Sequence, residues 1–123
     1  MRLLLDTHIL LWWLAEDRRL SADHRALIAD ASNLVLISAM TVAEIAIKAS
    51  LSKIEAPDDL LPTLEAGGFD ELTFESRHAE VLRTLPWHHR DPFDRMLIAQ
   101  AIAERLTVLT ADPHFTAYGV ELG

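Results

Sequence analysis

Short, continuous apolar runs alternate along this chain with longer stretches of helical spacing. Leu3-Leu4-Leu5 is apolar at three successive positions, the pattern of a strand buried on both faces. The positions from Thr7 to Glu16 predict a helix that is apolar nearly all round, through Ile9, Leu10, Leu11, Trp12, Trp13 and Leu14. Ser21 is placed to cap a second helix running to about Ala31. Leu34 to Ser38 predicts a second buried strand, and Thr41 to Ser50 the helix after it. Pro57-Asp58 opens a further helix that Gly67-Gly68 closes, and the alternation from Phe69 to Phe74 predicts a third strand at an edge. Ser76 to Leu85 has helical spacing and stops before Pro86. Asp91-Pro92 starts a long helix to about Arg105. Thr107 to Thr110 is a fourth strand, and Val120 to Leu122 a short last one. Strand followed by helix or helix pair, repeated, predicts an α/β fold with a mainly parallel sheet of four to five strands covered by helices on both faces.

At 123 residues the chain suits one domain, spanning 1–123, and its size and half-hydrophobic composition allow a core without staples. The absence of cysteine excludes disulfides, thiolate zinc sites and a cysteine nucleophile. Asp6 interrupts the first apolar stretch, which argues against a secretory signal, and the run from Ile9 to Ala15 is too short to span a bilayer. The expectation is a soluble, cytoplasmic protein without a membrane partner. The net charge of −8 argues against nucleic-acid binding through bulk positive charge. It leaves room for an enzyme that meets nucleic acid through divalent cations and local basic groups.

The acids that change the picture are those near strand ends. Ligands of open parallel sheets bind beyond the carboxyl ends of the strands. Asp6 directly follows the first strand, Asp112 lies two residues beyond Thr110, and Glu44 is in the early turns of the helix after the second strand. Asp94 lies in the first turn of the helix opened by Pro92. Because that helix leads into the fourth strand, its start is expected at the opposite edge unless the loop through Trp87, His88, His89 and Arg90 carries it over. Converging carboxylates repel one another and raise one another's pKa values unless a cation neutralises them, and hard oxygen ligands suit Mg²⁺ or Mn²⁺. The matching chemistry is phosphodiester hydrolysis. Taken singly, each acid is better explained by helix capping: Asp6 before Thr7, Thr41-Val42-Ala43-Glu44 as a capping box, Asp91 before Pro92, Asp112 before Pro113. The conjunction favours a site, as does Asp94, which is not needed as a cap beside Asp91.

Four segments together resemble the PIN-domain ribonucleases, specifically VapC-like toxins of type II toxin–antitoxin pairs. They are Leu4-Leu5-Asp6-Thr7-His8, Ala43-Glu44-Ile45-Ala46-Ile47-Lys48, the long stretch His89-Arg90-Asp91-Pro92-Phe93-Asp94-Arg95-Met96-Leu97-Ile98-Ala99-Gln100-Ala101, and Leu109-Thr110-Ala111-Asp112 with Phe115 and Tyr118. They follow the family's order and span nearly the whole chain. The resemblance implies a PIN-like fold, Mg²⁺ dependence with Mn²⁺ able to substitute, endonucleolytic cleavage of RNA, a cognate antitoxin and a homodimer. It carries the metal-binding and catalytic acids onto Asp6, Glu44, Asp94 and Asp112, and implies that the start of the Asp94 helix reaches the site. One departure is Ala43, where this subgroup usually has tryptophan, which bears on packing rather than on the ligand.

Around these acids, Thr7 and Thr110 are candidates to hydrogen-bond a ligand carboxylate or water, with strand-end capping the equal alternative. Asp91 is a cap with an outer role, and Arg95 is slightly favoured as a phosphate contact. Lys48 is a phosphate contact or a helix charge paired with an acid. His8 is expected in local packing or at the surface, and His88 and His89 as a solvated loop pair or RNA contacts. Of Trp12 and Trp13, one is expected in the core and the other at an interface. Among rival functions, a phosphotransfer receiver domain needs a late lysine, whereas the lysines here are Lys48 and Lys53. An aspartate-nucleophile phosphatase wants an acid at the position of His8. A catalytically silent PIN-fold binding module remains as the alternative from another class.

Overall fold

The computed structural model describes residues 1–123. Its elements, in chain order, are β1 (Arg2–Leu5), α1 (Thr7–Leu14), α2 (Ala22–Ala29), β2 (Leu34–Ser38), α3 (Ala39–Ser50), α4 (Leu60–Ala66), β3 (Asp70–Leu72), α5 (Ser76–Val81), α6 (Pro92–Glu104), β4 (Thr107–Leu109) and a 3₁₀ helix over Pro113–Tyr118. The strands form one sheet in the order β3-β2-β1-β4, every pairing parallel. The expected last strand is reduced to a single parallel bridge between Val108 and Leu122. No helix is long and apolar enough to cross a membrane.

The period of two explains why β1 is apolar throughout. Leu3 and Leu5 point into a core with Ile9, Leu10, Val35, Ile37, Ile45 and Leu64, under α1, α3 and α4. Leu4 points the other way, into a second core with Leu36, Leu97, Ile98, Val108 and Phe115 under α6. A central strand covered on both sides has no polar face to show, and all three leucines are fully buried. Trp12 and Trp13 are both half-buried and both pack against the edge of the first core, so neither is the fully buried core residue expected of one of them.

Two boundaries move for identifiable reasons. The third helix begins at Ala39, because the Ser38 hydroxyl accepts from the Met40 N–H at 3.0 Å and caps it there. The capping box expected at Thr41–Glu44 therefore does not form, and Glu44 lies beyond the first turn. The fifth helix ends at Val81 rather than Leu85, and the chain turns before Pro86.

The Asp94 helix corrects a more general expectation. In a parallel α/β sheet the connecting helix runs antiparallel to the strands. Its C-terminus therefore feeds the start of the next strand, and its N-terminus lies at the strands' carboxyl edge. The start of α6 is at that edge by topology.

Candidate active site

The site grows from the carboxyl ends of β1, β2 and β4. Asp6 leaves β1 with its backbone N–H donating to the Leu109 carbonyl at 3.1 Å, so β4 fixes its position. Its carboxylate caps α1, Oδ1 accepting from the Ile9 N–H at 2.8 Å, while Oδ2 accepts from the Thr110 hydroxyl at 2.5 Å. Thr110 Oγ1 in turn accepts from the Asp112 N–H at 3.0 Å. Asp6 is buried, and burial raises its pKa. The bonds from Thr110 and Ile9 and the nearby His8 oppose that rise, and Asp112 adds to it.

Glu44 comes from α3 and is 3% exposed. Its Oε1 accepts from the Thr7 hydroxyl at 2.5 Å and its Oε2 from Lys48 Nζ at 2.5 Å, one helical turn on. It caps no helix. Lys48 is held above its usual pKa, chiefly by this bond, with Asp91 and Asp94 adding their charge from α6. The ammonium therefore lies among three acids from two helices. Thr7 and Thr110 each donate to a carboxylate, as two rivets that tie α1 to α3 and β4 to β1.

Asp91 caps α6, its Oδ1 accepting from Phe93 and Asp94 N–H at 2.9 and 3.1 Å. Asp94 caps nothing, and Oδ2 meets His89 Nε2 at 3.3 Å. Its pKa is pushed up to about 6, first by burial and then by the charge of Asp91, with Asp112 and Glu44 contributing, against the lowering bond from His89. Asp112 caps the 3₁₀ helix, Oδ1 accepting from the His114 N–H at 2.9 Å. The structure thus brings Asp6, Glu44, Asp91, Asp94 and Asp112 into one electrostatic neighbourhood.

Beside Asp6 and Asp112 opens a shallow cleft of about 330 Å³, lined also by His8, Trp12, Arg19 and Ala111. Arg19 lies over the Trp12 ring, 5.2 Å from its centroid, and His8 is exposed with its ring tilted on Trp12 at 6.1 Å. This rim places cationic and aromatic groups next to the acids of an otherwise acidic protein.

Arg95 does not face the site. It is 3% exposed, its guanidinium donating to the carbonyls of Leu85 (3.1 Å) and Pro86 (2.7 Å) and to the Tyr118 hydroxyl (3.2 Å), with Trp87 stacked 3.7 Å from it. This departs from the phosphate role favoured from the sequence: the buried guanidinium is spent on the 85–87 loop and on Tyr118. Arg95→Ala strands buried carbonyls and is expected to destabilise the fold by about 3 kcal/mol, with Arg95→Lys recovering less than half because an ammonium lacks the planar fork. Urea unfolding measures both. A loss under 1 kcal/mol for Arg95→Ala would contradict the pinning role.

The loop histidines also differ from the expectation of a solvated pair. His88 is exposed and meets the Tyr118 ring edge-on at 4.8 Å. His89 is half-buried, bonded to Asp94 and Tyr118 and stacked on His114. Tyr118 lies 29 residues from His89 along the chain, so no local spacing announces their contact.

A second cluster, Glu75, His78 and Glu104, has metal-like spacing, its ligand atoms within 4.8 Å of one another. Its hydrogen bonds exclude that use. His78 Nδ1 accepts the Glu75 N–H at 3.0 Å, so the neutral ring carries its proton on Nε2, which donates to Glu104 at 2.9 Å. A metal on Nε2 would move that proton to Nδ1, against another N–H. Arg77 also pairs with Glu104. The cluster ties α5 to the end of α6.

The residues of the first site form a hard, all-oxygen donor set in which burial and then the neighbouring acids lift Asp94 to about 6. That fits a divalent cation such as Mg²⁺ or Mn²⁺.

The family model of the PIN domain matches residues 3–121. Among solved structures, this chain is similar to one in the VapBC2 complex of Rickettsia felis bound to a DNA fragment from its promoter, at 18% identity, 99% of this chain and 96% of that one, TM-score 0.72. It is similar to a chain of FitAcB from Neisseria gonorrhoeae, at 25% identity, 98% and 95% coverage, TM-score 0.66. It is also similar to a chain of a toxin–antitoxin complex from Klebsiella pneumoniae, at 19% identity, 98% and 95% coverage, TM-score 0.66. No curated protein matches.

Proposed function

Since the chain belongs to the PIN-domain family, we propose that it is a divalent-metal-dependent endoribonuclease, the toxin of a toxin–antitoxin pair, with Asp6, Glu44, Asp94 and Asp112 holding the metal. The observation that carries this reading is the convergence of Asp94 with Asp91, Asp112 and Glu44 at the carboxyl edge of the sheet, where burial first and then the charge of those acids hold the Asp94 carboxyl above its ordinary pKa. Capping alone would support a silent binding module, because Asp6, Asp91 and Asp112 each cap a helix. Glu44 and Asp94 cap nothing, and their convergence favours chemistry.

When bound, Mg²⁺ or Mn²⁺ supplies Lewis-acid stabilisation of charge developing on a phosphodiester. The chain's own residues do the rest. Thr110 and Thr7 fix one oxygen each of Asp6 and Glu44, so those carboxylates need not reorganise as charge develops. Lys48 offers a positive charge beside Glu44, where it offsets the charge of Glu44, Asp91 and Asp94. Asp91 holds the first turn of α6, which sets where Asp94 points. Trp12, in the cleft beside Asp6 and Asp112, provides a ring for a strand of RNA, with Arg19 lying over it and itself paired with Asp17 at 2.7 Å.

The structural neighbours are components of complexes described as VapBC2, FitAcB and toxin–antitoxin, which supports a cognate antitoxin as partner; a homodimer as the working form is proposed on the sequence resemblance alone. An apolar groove between α3 and α4, lined by Val42, Ile45, Leu60 and the exposed Leu61, suits an apolar protein segment and not RNA. The reading places the protein in the cytoplasm, where its RNA substrate is.

The test is cleavage of total RNA by purified protein with and without EDTA, beside Asp6→Asn. Cleavage that needs Mg²⁺ or Mn²⁺ and disappears in the variant is the expected result. Metal-independent cleavage, or full activity in Asp6→Asn, overturns the mechanism.

A further inference from the structure

We propose that His89 is a positioning residue for Asp94, locked by Tyr118 in the tautomer that carries its proton on Nε2. The inference rests on the reading of Asp94 as a metal-binding carboxylate and adds a residue to it.

The donors around one phenol fix the direction of its proton. The Tyr118 oxygen accepts from the His89 backbone N–H at 3.2 Å and from Arg95 Nη1 at 3.2 Å. Those two donors fill its accepting capacity, so its own proton must point elsewhere. Two acceptors are in range: the His89 carbonyl at 3.5 Å, at the limit of a hydrogen bond, and His89 Nδ1 at 2.7 Å. The phenol therefore donates to Nδ1. A neutral imidazole that accepts at Nδ1 carries its hydrogen on Nε2, and Nε2 faces Asp94 Oδ2 at 3.3 Å. The chain of bonds has one direction throughout, from the Arg95 guanidinium through Tyr118 and His89 to Asp94.

The ring is also held in its plane. His114 stacks on it at 5.1 Å with an interplanar angle of 11°, and His114 Nδ1 is 2.9 Å from Asp112 Oδ1. Two stacked imidazoles thus each bond one acid of the site. With Oδ2 of Asp94 held by His89, Oδ1 has no hydrogen-bond partner and is free for a cation. An N–H donor behind a ligating carboxylate fixes its orientation, and loss of such a partner typically weakens metal binding about 10–100-fold.

Two measurements test this on the full-length protein. Long-range ¹H–¹⁵N correlation spectra of the histidine rings read the tautomer without reference to activity. The expected result is an unprotonated Nδ1 on His89 in the wild type, and a mixture of tautomers in Tyr118→Phe. Mn²⁺ affinity, measured by the loss of the free-ion EPR signal, is expected to fall by about tenfold or more in His89→Ala. In His89→Gln it is expected to recover in part, because the amide can still donate to Asp94. A protonated Nδ1 in the wild type overturns the assignment. Affinity in His89→Ala within threefold of wild type overturns the positioning role. A wild type that binds no Mn²⁺ at all brings down the metal reading of the site, and this inference with it, which is a different outcome from either of the others.

Discussion

Glu44→Gln is expected to slow metal-dependent RNA cleavage by about 10²–10³-fold and to leave the protein folded, a range appropriate to the loss of one preorganised electrostatic group. Glutamine has nearly the volume of glutamate, so the buried position on α3 loses no packing. Its amide oxygen can still accept from the Thr7 hydroxyl, preserving the tie between α1 and α3. What changes is charge. The amide nitrogen cannot accept from Lys48, which now bonds Glu44 Oε2 at 2.5 Å. Breaking a fully buried pair would cost several kcal/mol, but the lysine side chain is 35% exposed and also lies near Asp91 and Asp94. It turns to solvent or to those acids, and the melting temperature is expected to move by only a few degrees. The measurement is a cleavage time course at saturating Mn²⁺ beside a thermal melt. Cleavage within threefold of wild type in a normally melting variant would remove Glu44 from the site.

Much of the fold was legible because its signals are local. The unbroken apolarity of Leu3-Leu4-Leu5 is what a central parallel strand must show, and the strand-end positions of Asp6 and Asp112 follow from it. Asp91-Pro92 fixes the start of α6 through a cap and a pre-set backbone angle. The misreadings have physical causes. Thr41-x-x-Glu44 has the pattern of a capping box, yet the serine that ends β2 caps the helix first. The pattern was real, but its donors were taken. The doubt over Asp94 came from placing a helix start at the edge where its following strand begins, which inverts the antiparallel course of a crossover helix. Arg95 and His89 were illegible for another reason. Their partners, Leu85, Pro86 and Tyr118, lie 9 to 29 residues away along the chain, and no periodicity reports contacts made by a folded loop. The family resemblance named the acids at once, but said nothing of what holds them.

Asp94→Asn is expected to make the cation-free protein more stable and the cation-loaded protein less so, a reversal that a purely structural aspartate would not produce. The sign follows from the folded pKa of about 6 against an ordinary value of 3.8. Between those two pH values the folded protein holds a proton that the unfolded chain has released. Stability therefore falls as pH rises through this window, and the full penalty is present above about pH 6. The shift corresponds to roughly 2–3 kcal/mol at neutral pH. Asparagine carries no charge to desolvate or to meet Asp91, so in EDTA at pH 7.5 the variant is expected to melt about 5–10 °C higher than wild type. At pH 4 the wild-type carboxyl is itself largely protonated in the fold, and the difference should shrink to near zero. Divalent cation reverses the order. An ion present at about 1,000 times its Kd stabilises the wild type by about 4.1 kcal/mol, more than the variant's advantage without cation, and a variant lacking one ligand oxygen captures little of that. Melting curves at pH 7.5 and pH 4, each in EDTA and in Mn²⁺, give the four values needed. A variant less stable than wild type in EDTA at pH 7.5, or equally stabilised by Mn²⁺, would mean that Asp94 is balanced within the fold and is not held in readiness for a cation.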